Sequence, residues 1–99
     1  MITAIVLINT ARGRTAEVAQ ALIDLPGVTE AYSVAGQYDL VAIIRVRAHE
    51  ELAAVVAERI QKVPGIAATN TLIAFQAYSQ HSLEAMWDLG NEELLRNKS

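Results

Sequence analysis

An internal repeat constrains this 99-residue chain more than any other feature. Displaced by 38 positions, Leu25-Pro26-Gly27-Val28 falls on Val63-Pro64-Gly65-Ile66, Ile5-Val6 on Ile43-Ile44, and Leu22 on Ile60. The fold must therefore use one supersecondary unit twice. In the first copy, residues 2–8 are rich in β-branched side chains and predict a strand. Val18, Leu22 and Leu25 follow at helical spacing, predicting a helix over residues 15–24 with Thr15 as its N-cap. Pro26-Gly27 stops that helix, because proline cannot continue it and glycine takes the left-handed cap conformation; residues 28–34 then read as a second strand.

In the second copy, residues 40–47 predict a strand and residues 49–62 a helix, with Leu52, Val55, Val56, Arg59 and Ile60 on adjoining faces. After Pro64-Gly65, residues 66–78 form a long extended segment. Thr69, Thr71, Ile73 and Phe75 lie on one side of it, and Ala68, Asn70, Leu72 and Ala74 on the other. Between the copies, Ala35-Gly36-Gln37-Tyr38-Asp39 is short enough for a hairpin turn, with Gly36 supplying a positive φ. Two βαβ units joined this way predict an α+β, ferredoxin-like βαββαβ sandwich: a four-stranded antiparallel sheet with two helices on one face.

A sheet with one wet face alternates apolar and polar residues along each strand. These strands do not. Ile2, Ala4, Val6 and Ile8 share one face of the first strand while Ile5 and Leu7 belong to the other, and in the third Leu40, Ala42 and Ile44 oppose Val41 and Ile43. Two helices cover one face only, so the other would expose an apolar patch larger than soluble monomers tolerate. The expectation is a dimer paired sheet to sheet, as in dimeric α+β barrels; the alternative is that the carboxy-terminal segment folds back over that face. This segment, residues 79–99, lies outside the repeat and predicts an amphipathic helix from Ser82, with Leu83, Met86, Trp87 and Leu94 along one side and Gly90 as a break.

Composition excludes several functions. Cysteine is absent, which removes disulfides, thiolate metal sites and cysteine nucleophiles and fits a reducing, cytoplasmic setting. The net charge is −3, and the basic residues are scattered along the sequence, so direct nucleic-acid binding is not expected. No stretch approaches the roughly 20 apolar residues of a membrane span. His49 and His81 stand apart with no metal-ligand spacing, and His49 falls at an expected helix N-cap. The serines lack nucleophile-elbow glycines. Arg12-Gly13-Arg14 reads as a solvated turn rather than an anion loop, and Glu17, Glu50 and Glu51 complement helix dipoles. No cofactor or metal is expected.

One polar group of residues remains. Gly36, Gln37, Tyr38 and Asp39 place free backbone groups, an amide, a phenol and a carboxylate within four positions at the edge of an apolar sheet. Backbone N–H groups there suit the carboxylate of a small zwitterion, and Asp39 its ammonium. The simpler reading is that Gly36 makes the turn and Asp39 caps it.

Pro26-Gly27-Val28 with Ala31-Tyr32, then Val34-Ala35-Gly36-Gln37-Tyr38-Asp39-Leu40, then Pro64-Gly65-Ile66 leading to Thr69-Asn70-Thr71, resembles the effector-binding (RAM) domain of the Lrp/AsnC family of transcriptional regulators over residues 1–78. The resemblance implies an oligomeric regulatory domain that binds a free amino acid between neighbouring dimers. It implies a homo-oligomeric ring, an octamer or decamer. Effector binding would fall to Gly36, Gln37, Tyr38 and Asp39, with Thr69 and Thr71 as wall residues from the same or an adjoining subunit. Such regulators normally begin with a helix-turn-helix domain, whereas here the first strand starts at Ile2. The expectation is thus a stand-alone domain that modulates transcription by co-assembling with full-length Lrp/AsnC-type regulators, without binding DNA itself. Two other readings compete: a cofactor-free α+β-barrel monooxygenase or isomerase, and an ACT-type amino-acid-binding module. The apolar sheet-facing positions of the helices argue for a filled core and against an enzyme cavity.

Overall fold

The computed structural model describes residues 1–80, with elements in the order β-α-β-β-α-β. β1 spans Ile2–Thr10, α1 Thr15–Ile23, β2 Val28–Ser33, β3 Leu40–Val46 and β4 Ile66–Ala74, with the second helix between β3 and β4. The strands form one antiparallel sheet in the order β2-β3-β1-β4. This is the ferredoxin-like architecture that the repeat predicts. β1 runs two residues further than expected, and β4 ends at Ala74 rather than Tyr78, where pairing to β1 runs out at Thr3.

Strand alternation decides which residues make the core. Ala4, Val6 and Ile8 of β1 and Leu40, Ala42 and Ile44 of β3 are fully buried together with Val18, Leu22, Val55 and Ile60 of the two helices. Both helices therefore lie on one face, and each fully buried Ile or Leu contributes about 1.5–3 kcal/mol. The intervening residues Ile5, Leu7, Val41 and Ile43 turn to the opposite face and are only half-buried. Register aligns them in rows: Ile43, Ile5 and Leu72 across β3, β1 and β4, and beside them Tyr32, Val41, Leu7 and Asn70 across all four strands. Among the described residues, no helix covers this apolar face.

The two Pro-Gly turns close the sandwich reciprocally. A Cβ at Gly27 would lie 2.7 Å from Val55 Cγ2, and one at Gly65 would lie 2.9 Å from Val18 Cγ2. Each repeat's glycine thus packs beneath the other repeat's helix, at a separation that real Cβ atoms do not tolerate. Their carbonyls accept neighbouring backbone amides, Gly27 from Arg45 at 3.0 Å and Gly65 from Ala11 at 2.7 Å.

The second helix departs from the regular helix expected over residues 49–62. It opens as α-helix over His49–Ala53, widens into a π-helical turn over Ala54–Arg59 and closes as 3₁₀-helix over Ile60–Lys62. Packing supplies the reason. Val55 and Ile60 are both fully buried, yet residues five apart on a regular helix point about 140° away from each other. The wider i→i+5 turn brings them onto one side. It also absorbs one residue of the repeat: the 38-residue displacement equates Val18 with Val56, but Val55 holds the core position and Val56 is half-buried.

Neither expected N-cap holds. Arg14 and Ala48 occupy the cap positions, without side-chain cap hydrogen bonds, and Thr15 and His49 are the first helical residues. The Thr15 hydroxyl is engaged elsewhere, 2.8 Å from that of Thr10. Arg14 instead braces the first turn by a two-pronged ion pair to Glu17, at 2.7 and 3.1 Å, so the Arg12-Gly13-Arg14 turn holds no spare guanidinium at Arg14. The carboxy-terminal helix expected from Ser82, and His81, lie outside the described residues.

Candidate functional site

The loop between β2 and β3 is built around two backbone closures. The Val34 N–H donates to the Asp39 carbonyl at 3.0 Å, and the Asp39 N–H donates to the Ile8 carbonyl at 2.9 Å. Gly36 sits at the exposed tip with φ +131°, the positive value expected of it, and with open space where a Cβ would be. Gln37 is also exposed, while Tyr38 and Asp39 are half-buried.

Asp39 ties the loop to the end of β1. Its Oδ2 accepts the Thr10 N–H at 2.8 Å and the Thr10 hydroxyl at 3.4 Å. Thr10 is thus a partner that sequence reading missed, since it lies 29 positions away and no local pattern joins the two. Oδ1 takes no hydrogen bond among the described residues, so the carboxylate keeps one oxygen for a cation. The side chain thus does not cap its own turn, which is closed by the Asp39 backbone carbonyl to the Val34 N–H.

Tyr38 reaches across β1 to β4, where its hydroxyl accepts from Asn70 Nδ2 at 3.5 Å, the outer limit of a hydrogen bond. Asn70 lies on the open face of the sheet beside Leu7. It is a second residue that sequence reading left aside, and its signal was an amide within an otherwise small and apolar strand. Thr69 and Thr71 face the other way, toward the helices. Gln61 Nε2 donates to Thr69 Oγ1 at 3.4 Å, and Thr71 joins His49, Leu52, Val56 and Ile73 around a groove of about 310 Å³. Within the chain, then, Asp39 is tied to Thr10 and Tyr38 to Asn70, while Thr69 and Thr71 face the helices.

A larger groove, about 490 Å³, runs between α1 and β2 and is lined by Thr15, Ala19, Gln20, Ile23, Ser33 and Leu40. Ser33 and Leu40 are the residues that flank the loop. On the open face, Arg45 Nη1 donates to Glu30 Oε1 at 3.1 Å and the Tyr32 hydroxyl donates to Glu30 Oε2. The Tyr32 hydrogen bond, and then that from Arg45, hold the Glu30 carboxyl below the ordinary glutamate range; the same contact with Glu30 pushes the Tyr32 phenol up. Among the described residues, no three His, Asp, Glu or Cys side chains gather as a metal site, and no helix is long and apolar enough to cross a membrane.

Comparison with known proteins gives this geometry its context. Residues 3–84 match the family described as the Lrp/AsnC ligand binding domain. Among curated proteins, the HTH-type transcriptional regulator FL11 of Pyrococcus abyssi is 34% identical over 77 residues, 78% of this chain. The chain spans about half the length of the curated relatives it matches, 50% in that case. Among solved structures, TTHA0845 of Thermus thermophilus is 46% identical, covers 81% of this chain and 100% of its own, and superposes with a TM-score of 0.75. AsnC of E. coli is 26% identical over 80% of this chain and 54% of its own, with a TM-score of 0.73. The matched domain is a regulatory ligand-binding domain and the relatives carry the names of regulators, which sets aside the barrel-enzyme reading. By fold, sequence and matched span, the chain belongs to the Lrp/AsnC ligand-binding domain family.

Proposed function

We propose that this chain senses a free amino acid at the 36–39 loop and passes the signal on through oligomeric assembly. The observation that carries the reading is the state of Asp39: one oxygen fixes the loop to Thr10, the other takes no hydrogen bond among the described residues, and Gly36 and Gln37 just before it are exposed. In this reading Asp39 holds the ammonium, the loop N–H groups hold the carboxylate, and Tyr38, set by Asn70, borders the side chain. Thr69 and Thr71 serve as a wall contributed by an adjoining subunit, because their own protomer turns them away from the loop.

Assembly follows from the apolar sheet face. Two copies paired through the Ile43–Ile5–Leu72 rows make a dimer, and dimers meeting at their loops make a ring of eight or ten chains. An effector held between dimers then favours one arrangement by its differential affinity for the two. We assign the transcriptional effect to co-assembly with full-length Lrp/AsnC-type regulators in the cytoplasm, which supply the DNA contact that a chain of net charge −3 is poorly suited to make. Because a free amino acid has few atoms, dissociation constants fall between about 1 μM and 1 mM.

Calorimetry of the full chain against each of the twenty amino acids tests the reading, with light scattering alongside. The expected result is saturable binding of a small subset, lost in Asp39→Asn, and a mass of eight or ten chains that shifts with ligand. Indifference to every amino acid, or unchanged affinity in Asp39→Asn, overturns it.

A further inference from the structure

Three of the eight basic residues share one cleft. At the end of the sheet opposite the 36–39 loop, Arg45, Arg47 and Arg59 converge on a cleft of about 430 Å³ whose other walls include Pro26, Gly27 and Glu51. Three arginines and one glutamate thus line this cleft in a chain of net negative charge. Two of the arginines lack acidic partners: among the described residues, the side-chain ion pairs are Arg14–Glu17 and Arg45–Glu30. Glu51 does not reach the Arg47 guanidinium; its Oε2 lies 3.4 Å from the Arg47 backbone N–H.

The groups are also held in place. Arg59 Nη1 donates to the Pro26 carbonyl at 2.8 Å, which tethers the guanidinium at the cleft wall while its other N–H donors make no hydrogen bond among the described residues. Arg45 is anchored on the rim by Glu30 at 3.1 Å. Arg47 is exposed and makes no side-chain hydrogen bond among the described residues. Like charges gathered at a concave site repel one another, and a planar guanidinium matches a phosphate oxygen pair in a two-pronged contact that an ammonium cannot make. A concave site of this size admits a small molecule and not a nucleic-acid duplex.

We propose that this cleft is a binding site for a small phosphate-bearing anion, held by the forks of Arg47 and Arg59 with Arg45 at its rim. The site uses none of the loop residues, and its Arg45 rim borders the sheet face through which we pair two copies. Calorimetry of the full chain with inorganic pyrophosphate, ADP and adenosine at fixed ionic strength tests it. The expected result is saturable binding of pyrophosphate and ADP but not adenosine, weakened about tenfold or more in Arg47→Ala and in Arg47→Lys. Both substitutions are at an exposed residue, and the wild-type circular dichroism is expected to be retained. Tighter binding of ADP than of pyrophosphate assigns the site to nucleotides, and the reverse to the free anion. Absence of saturable binding, or binding unaffected by Arg47→Ala, overturns the proposal; Asp39→Asn is expected to leave it unchanged.

Discussion

At Asp39 the oxygen that holds the loop and the charge that the effector reading needs belong to one carboxylate, and substitutions can separate them. Asp39→Ala strips the half-buried Thr10 N–H of its acceptor and is expected to cost about 1–3 kcal/mol in urea denaturation. Asp39→Asn keeps an acceptor oxygen and is expected to cost under about 1 kcal/mol while still abolishing amino-acid binding. Glycines separate in the same way. Gly27→Ala meets Val55 at 2.7 Å and Val46 at 3.3 Å with φ at +97°, so strain and overpacking add, and about 1–3 kcal/mol is expected. Gly36→Ala meets only the backbone strain of φ +131° in open space, about 1 kcal/mol. Equal losses in thermal unfolding of the two variants would show that the Gly27 approach is not tight. Gly36 was legible from its place in the loop, whereas the Asp39 partner was not, because a tie between residues 10 and 39 exists only after β1 and β3 have paired.

On β2, the pH behaviour of Glu30 and Tyr32 follows from their contacts. Glu30 titrates below its ordinary 4.5, so the stabilisation its charged form brings is present above pH 4.5 and is lost as pH falls through the lower folded value. Tyr32 titrates above 10.0, so its share is present below pH 10.0 and is lost as pH rises through the higher folded value. Both groups are exposed, and solvent screening keeps the effect on stability small. The midpoint itself is measurable by carboxyl ¹³C NMR: Tyr32→Phe is expected to raise that of Glu30 more than Arg45→Ala does, because the Tyr32 hydrogen bond is the larger cause. A larger rise in Arg45→Ala would reverse that ranking. The second helix shows where reading by element stops. Periodicity placed a helix at residues 49–62, but the demand that Val55 and Ile60 share one core position is tertiary, and it widened the turn.

For the whole molecule, the sheet's second face is the feature most plainly written in the sequence, in the apolar residues at both alternations of β1 and β3. Ile5 sits at its centre, between Ile43 and Leu72. Ile5→Asp is expected to reduce the mass seen by light scattering to that of one chain, with far-ultraviolet circular dichroism retained. An unchanged mass would show that assembly uses another surface. The arginine cleft was half legible in the sequence: Arg45 and Arg47 stand two positions apart at the end of β3, but Arg59 joins them only through the packing of the second helix against the Pro26-Gly27 turn. The strand order β2-β3-β1-β4 carries a kinetic consequence. The strands of the first repeat, β1 and β2, are not neighbours; β3 lies between them, and both neighbours of β1 come from the second repeat. A nascent chain that has emerged only as far as the 36–39 loop therefore has no two strands to pair, and β1 waits for β3 before it gains its first partner. Folding is closed by contacts far apart in the chain, which makes it slower than that of a helical bundle of the same length and leaves the first repeat dependent on the second for a sheet at all.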